Sequence, residues 1–188
     1  AKFSLAVILL LQPYNMWWTP RRFIVLNQQN GQQKVARFIT IGLVLTLIIS
    51  VLVGLASPLL IHALLPDNYA ISAQYVVGMV IVMACKEMAD LVNIGCFTGK
   101  TTRAQLAINA FAVCLGIAGM LYWTPQYEVW GIIYGLITAQ LTRLILFFII
   151  SQHFLPLDYP KGPLFLLTSV SLALVIISGL SSSLFMQI

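Results

Sequence analysis

Between Phe38 and Leu65 the chain runs for 28 residues without a single Asp, Glu, Lys or Arg. A helix crosses the hydrocarbon of a bilayer with about 20 mostly apolar residues, so this run alone is long enough to span and to tilt. The rest of the chain has the same character. Of its 188 residues 60% are hydrophobic and 8% charged, and its mean hydropathy is +0.95. A soluble domain carries about 25% charged residues, and a compact fold this short of charge cannot cover its own surface in water. A soluble enzyme, a nucleic-acid-binding module and a disordered chain are excluded on these grounds. An integral membrane protein remains.

Six stretches qualify as spanning helices: Phe3–Trp18, Phe38–Leu65, Ile71–Thr98, Gln105–Trp123, Val129–Ile150 and Leu164–Met186. The first is short and carries Pro13, which predicts a kink or a clipped span. No run alternates with the period of two that a membrane β-barrel needs. The expected fold is an all-α polytopic helix bundle of about six transmembrane helices. Residues 1–163 form the main bundle, and 164–188 add one further helix. The chain opens on Ala1-Lys2 and closes inside an apolar run, which reads as a cut from a longer protein. Gln12, Pro13 and Asn15 interrupt the first run and no small-residue cleavage site follows, so no signal peptide is expected. Cys85, Cys96 and Cys114 all fall in apolar segments without metal-ligand spacing and read as small buried hydrophobes.

The loops set the orientation, because Lys and Arg favour the cytoplasmic side of short connections. Seven basic residues lie in alternate loops: Arg21, Arg22, Lys34 and Arg37, then Lys100 and Arg103, then Lys161. The opposite loops, Pro66–Ala70 and Thr124–Glu128, carry none, and only Lys2 is basic at the N-terminal end. The first, third and fifth helices are thus expected to run from outside to inside. Tyr122, Trp123, Tyr127 and Trp130 fit the outer headgroup level, and Trp17 and Trp18 the inner one. The inner loop Thr19–Arg37 reads either as an interfacial segment whose arginines meet anionic headgroups or as a plain connector.

Four ionisable residues lie inside the spans, where each costs roughly 2.5–3.5 kcal/mol at a helix centre unless it is paired or wet. Lys86, Glu87 and Asp90 stand on the third helix, and Arg143 on the fifth. At 100° per residue Lys86, Asp90 and Asn93 fall within about 60° of one another, on a stripe shared with Met79 and Met83. Glu87 borders that stripe. Gln140 and Arg143, three apart, share a face of the fifth helix. Asp90 and Arg143 lie at comparable depth, so pairing between their two helices is feasible, and Gln105 and Asn109 on the fourth could join the same layer. Two readings stay open. In one, Lys86–Asp90 and Glu87–Arg143 are closed pairs that fix helix register. In the other, the face lines a water-filled path for a polar, anionic substrate, with Lys86, Arg143, Asn93, Gln140 and Asn109 along it and Glu87 and Asp90 holding a coupling ion.

Other signals are weaker. Gly99-Lys100-Thr101 lacks the glycine that a phosphate-binding loop needs at position 94, where Ile94 stands, and follows an apolar helix rather than a strand. Gly95 with Gly99, and Gly131 with Gly135, have the spacing that lets helices approach closely. His62 and His153 are isolated. Pro13 and Pro58 are potential bends. No catalytic residues, metal ligands or cofactor are expected.

The order of features resembles a known family. A Pro-containing span and a basic loop precede a long span ending Leu64-Leu65-Pro66-Asp67-Asn68-Tyr69-Ala70. A span closing on Phe97-Thr98-Gly99-Lys100-Thr101 follows, then one bearing Asn109. Trp130-Gly131 opens another, which ends Ser151-Gln152-His153 before Pro156-Leu157-Asp158-Tyr159-Pro160. Over nearly the whole chain this resembles the C-terminal half of bacterial lipid-linked oligosaccharide (O-antigen/polysaccharide) flippases, in the multidrug/oligosaccharidyl-lipid/polysaccharide exporter superfamily. The resemblance implies one lobe of a two-lobed transporter in the bacterial inner membrane, with the N-terminal lobe absent from this chain. It implies a flippase, not an enzyme, that moves an undecaprenyl-pyrophosphate-linked glycan from inner to outer leaflet for cell-surface polysaccharide or lipopolysaccharide synthesis. The partners would be the lipid-linked oligosaccharide, membrane lipids and the missing half, with no nucleic acid. Lys86 and Arg143 would meet the pyrophosphate or acidic sugars. A cation-coupled multidrug antiporter of the same superfamily is the alternative. A membrane-embedded enzyme is a further one, for which only Asp67, Glu128 and Asp158 offer acidic groups in loops.

Overall fold

The computed structural model describes residues 3–64, 71–98 and 103–185. Every element among them is helical: α1 (Leu5–Leu26), α2 (Gly31–Leu64), α3 (Ile71–Val92), α4 (Ile94–Thr98), α5 (Arg103–Tyr127), α6 (Val129–Phe154) and α7 (Lys161–Phe185). Among the described residues three helices are long and apolar enough to cross a membrane: Gly31–Ile61 within α2, Arg103–Tyr127 and Val129–Phe154. Leu106, Phe111, Val113, Ile117 and Leu121 stand exposed along α5, which is a surface that hydrocarbon, not water, would cover.

The first helix does not stop at Trp18. It passes through Pro13 and Pro20 and carries Arg21 and Arg22 on its last turns, so the connection expected over Thr19–Arg37 shrinks to residues 27–30. A proline inside a helix frees one carbonyl without ending the helix when neighbours re-satisfy it. The turn closes through Asn30, whose φ of 57° lies in the left-handed region that asparagine tolerates. Gly31 follows because any Cβ there would collide with the Leu26 carbonyl.

Buried hydroxyls on α2 turn back on their own helix. Thr46 donates to the Gly42 carbonyl at 2.8 Å and Ser50 to the Thr46 carbonyl at 2.7 Å, so neither leaves an orphan group in an apolar core.

The span expected over Ile71–Thr98 is broken at Asn93 into α3 and α4. The new helix start leaves amide donors without intrahelical partners. One of them, the Gly95 N–H, donates to Ser151 Oγ on α6 at 2.9 Å. A Cβ on Gly95 would meet the Ser151 backbone, so the glycine permits this approach.

The α5 and α6 helices make the most extensive contact in the fold, and glycines set its closeness. A Cβ on Gly116 would lie 2.7 Å from the Ala139 Cβ, and one on Gly131 2.5 Å from the Trp123 carbonyl. The Gly131 and Gly135 pair therefore works as close-packing spacing, as its sequence separation predicts. The turn between the helices is held at Glu128, with φ 48° and ψ −120°.

The α3 helix sits centrally, against α1, α2, α6 and α7. One cluster of buried side chains gathers Trp18, Ile39, Ile94 and Phe147, and a second gathers Val7, Leu11, Val53, Ile61 and Val80.

Candidate functional site: an ionic seam along the central helix

Residues three and four apart on a helix share a face, and α3 uses this to hold Met79, Met83, Lys86 and Asp90 on one half-buried stripe. The other sides of the helix are largely covered. The stripe therefore runs along a seam flanked by α1, which supplies Asn15 and Arg22, and by α6, which supplies Gln140 and Arg143.

Lys86 Nζ lies 3.1 Å from Glu87 Oε1 and 3.4 Å from Asp90 Oδ2. Arg143 Nη2 reaches Asp90 Oδ1 at 2.6 Å. Each carboxylate oxygen of Asp90 thus has its own cation. On the α1 side, Asn15 Nδ2 donates to Glu87 Oε2 at 2.7 Å, and Arg22 Nη1 donates to Asn93 Oδ1 at 3.2 Å. Arg22 also lies 4.7 Å above the Phe97 ring and 5.0 Å from that of Phe23. Arg143 stacks on Phe147 at 5.3 Å.

Asp90 and Arg143, at comparable depth on their helices, do pair, and the Glu87–Arg143 pair of the closed-register reading does not form. Arg143 takes Asp90 instead, while Glu87 turns toward α1 and its asparagine. Both carboxylates are one helical turn or less from Lys86, so rotation of α3 relative to α6 decides which of them Arg143 meets. Gln140 shares the face of Arg143, and its Oε1 is buried without a hydrogen-bond partner. Asn109 is half-buried on α5 and takes no part in these bonds. Lys100 and Asp67 lie outside the described residues, as does the Gly99-Lys100-Thr101 segment.

Two members, Asn15 and Arg22, were not expected here. They are seven residues apart and so share a helix face, but that relation exists only if the helix continues past Pro20.

The seam is not uniformly enclosed. The Glu87 side chain is 4% exposed and that of Arg143 18%, whereas Lys86 and Asp90 stand at 36% and 37%. Three cations, Arg22, Lys86 and Arg143, face two carboxylates, and Arg22 has only a neutral acceptor among the described residues. The cluster therefore carries one excess positive charge. Among the described residues no three His, Cys, Asp or Glu side chains stand together as metal ligands would.

A second concavity lies behind α3. A cavity of about 290 Å3 is lined by Leu47 and Ser50 of α2, Ala84 and Cys85 of α3, Leu141 of α6 and Ser171 of α7. It adjoins a larger groove of about 820 Å3 bordered by Met88, Leu144 and Tyr159. Burial among these residues raises the pKa of the Tyr159 hydroxyl. The Thr168 hydroxyl, which lines both, is spent locally, donating to the Leu164 carbonyl at 2.7 Å.

The aromatic groups assemble at the two ends of the bundle. Trp123, Tyr127 and Trp130 surround Tyr134 at centroid distances of 5.8–6.3 Å, and Trp17 and Trp18 pack on Phe38 at the other end.

No protein-family model, curated protein or solved structure matches the chain.

Proposed function

We propose that the chain is one lobe of a membrane transporter whose solute path runs over the α1–α3–α6 seam. The observation that carries this reading is the half-exposure of Lys86 and Asp90 in the middle of an otherwise apolar bundle. Charged side chains in a membrane face a bundle interior or a water-filled cavity and do not face lipid. A register-fixing pair would be closed over; these two are open. On this reading all six long helices cross the membrane of a bacterial cell, including α1, α3 and α7. The ends of α1 and α6 and the start of α7, with their basic residues, lie on the cytoplasmic side, and a second lobe faces the seam across the path.

The excess positive charge favours an anionic solute. Together with the resemblance described above, this supports a flippase for a pyrophosphate-linked lipid oligosaccharide over a cation-coupled drug antiporter, which would need a surplus of carboxylates on the path.

Water access tests the reading. In a protein lacking its three native cysteines, Met83→Cys on the seam is expected to react with a membrane-impermeant thiol reagent in whole cells. Val113→Cys on the apolar surface of α5 is expected to stay unmodified. A Met83→Cys protein that remains unreactive from both sides of the membrane overturns the path. In proteoliposomes, passage of a fluorescent lipid-linked glycan supports the flippase. Proton-driven uptake of a cationic dye in its place supports the antiporter.

A further inference from the structure

The two carboxylates of the seam are held in different ways, and the difference assigns them different roles. Glu87 is buried, and each of its oxygens has a partner, Lys86 on its own helix and Asn15 on α1. It is built in. Asp90 is exposed by more than a third, and its two oxygens are gripped by two cations from two helices, Lys86 and Arg143. Its field also reaches Arg22 on α1, whose guanidinium has, among the described residues, only a neutral amide oxygen as hydrogen-bond acceptor. Two oxygens of one anion, each on a different cation, is the arrangement in which a phosphate group is bound by basic side chains.

We propose that Asp90 is an internal stand-in for a phosphate group: it occupies Lys86 and Arg143 in the resting protein, and an incoming dianionic phosphate displaces it, with Arg22 supplying the third cation. This rests on the transporter reading and specifies how its anion site opens. The exchange is inexpensive because a half-exposed ion pair gains little over its solvated partners, and a displaced Asp90 still reaches water. A dianion also gains more than a monoanion from the same three cations, because the Coulomb attraction scales with its charge. Glu87 keeps one charge on Lys86 throughout and prevents the triad from holding its ligand too tightly to release. The shared chemistry is a phosphate monoester or pyrophosphate group, either on a soluble solute or on a lipid headgroup.

The test is binding of inorganic phosphate to the purified full-length chain in nanodiscs of zwitterionic lipid, followed by calorimetry. Asp90→Asn, which keeps the shape and removes the competing charge, is expected to bind phosphate about tenfold more tightly than the parent. Glu87→Gln removes the same charge from the built-in position and is expected to gain less than about threefold. Arg22→Gln, placed in the Asp90→Asn background, is expected to reverse most of the gain. Nanodiscs containing phosphatidic acid separate the two sources. Loss of phosphate affinity in them assigns the site to a headgroup, and unchanged affinity assigns it to a soluble solute. Affinity that is unchanged or weaker in Asp90→Asn overturns the exchange. So does an equal gain in Glu87→Gln, which would show a diffuse field effect. These failures leave the path intact if Met83→Cys is water-accessible, whereas an inaccessible Met83→Cys removes the path itself.

Discussion

The α3 helix presents Met79, Met83, Lys86 and Asp90 to the seam and, half a turn round, Ile81, Ala84, Cys85 and Met88 to the apolar cavity against α2, α6 and α7. Both faces lie at the same depth and belong to the same 22 residues. They differ in what the neighbours supply. On the seam side α1 and α6 bring Asn15, Arg22 and Arg143, so each charge finds a donor or an acceptor. On the cavity side the hydroxyls of Ser50 and Thr168 are spent on their own helices, and no charged side chain lines the space to pair with an ion. In this bundle, tolerance of charge is a property of the face and its neighbours, and depth does not determine it.

The sharpest way to break that comparison is to remove the innermost charge of the seam. Glu87→Ala leaves the Asn15 amide without its acceptor and takes from Lys86 its closer counter-ion, at a site almost closed to solvent. Leaving a buried donor without its acceptor costs about 1–3 kcal/mol, and more where the lost acceptor is charged. The expected result is a large fall in the thermal unfolding midpoint of the detergent-solubilised protein, with Glu87→Gln retaining part of the stability. A Glu87→Ala protein as stable as the parent would mean that the seam is wet through to α1.

The next test moves a charge to the wrong face. Ala84→Asp puts a carboxylate into the apolar cavity at a cost of about 3 kcal/mol, and the protein is expected to accumulate poorly in the membrane fraction. Met83→Asp, one residue earlier but on the seam, is expected to accumulate substantially better. Equal losses would erase the distinction between the two faces.

These two faces were legible from the sequence because helical periodicity needs no knowledge of neighbours: Lys86, Asp90 and Asn93 fall on one stripe whatever packs there. The long apolar runs likewise placed the helices to within a few residues at most ends. Information held in another part of the chain was not legible. The helix continues beyond Pro20 because α1 packs on α2 and α3, and Pro20 followed by two arginines reads locally as a loop. The break at Asn93 depends on a hydroxyl on α6, 56 residues from the Gly95 amide it accepts from, and on a guanidinium on α1, 71 residues from Asn93. That Asp90 and Arg143 could pair followed from their comparable depth, but the choice of Asp90 over Glu87 depends on the rotation of one helix about its axis, which the composition of either helix leaves free. By contrast, the close approach at Gly131 and Gly135 was foreseeable, because small residues one turn apart act through their own lack of side chain.

A smaller effect is expected at the open end of the seam. Asp90→Asn removes both ion pairs of a carboxylate that is more than a third exposed. Pairs with such access to water contribute up to about 1 kcal/mol, so the unfolding midpoint is expected to fall by much less than in Glu87→Ala. A loss as large as that of Glu87→Ala would show that Asp90 is enclosed in the membrane by something that covers the seam.

The smallest effect belongs to the apolar face. Ala84 borders the cavity of about 290 Å3, and Ala84→Val adds two methyl groups into that space. Filling a void with apolar atoms stabilises by about 0.5–2 kcal/mol when no neighbour must move, and the poorer helix propensity of valine takes back up to about 0.7 kcal/mol. The net gain is therefore expected to stay below about 1 kcal/mol, read as a small rise in unfolding midpoint in detergent. The same measurement in nanodiscs adds a comparison, because an acyl chain that already fills the cavity competes with the new methyls. A gain in detergent that vanishes in lipid identifies the cavity as part of the lipid-facing surface. A gain that is equal in both places it inside the packed bundle, walled off from the bilayer.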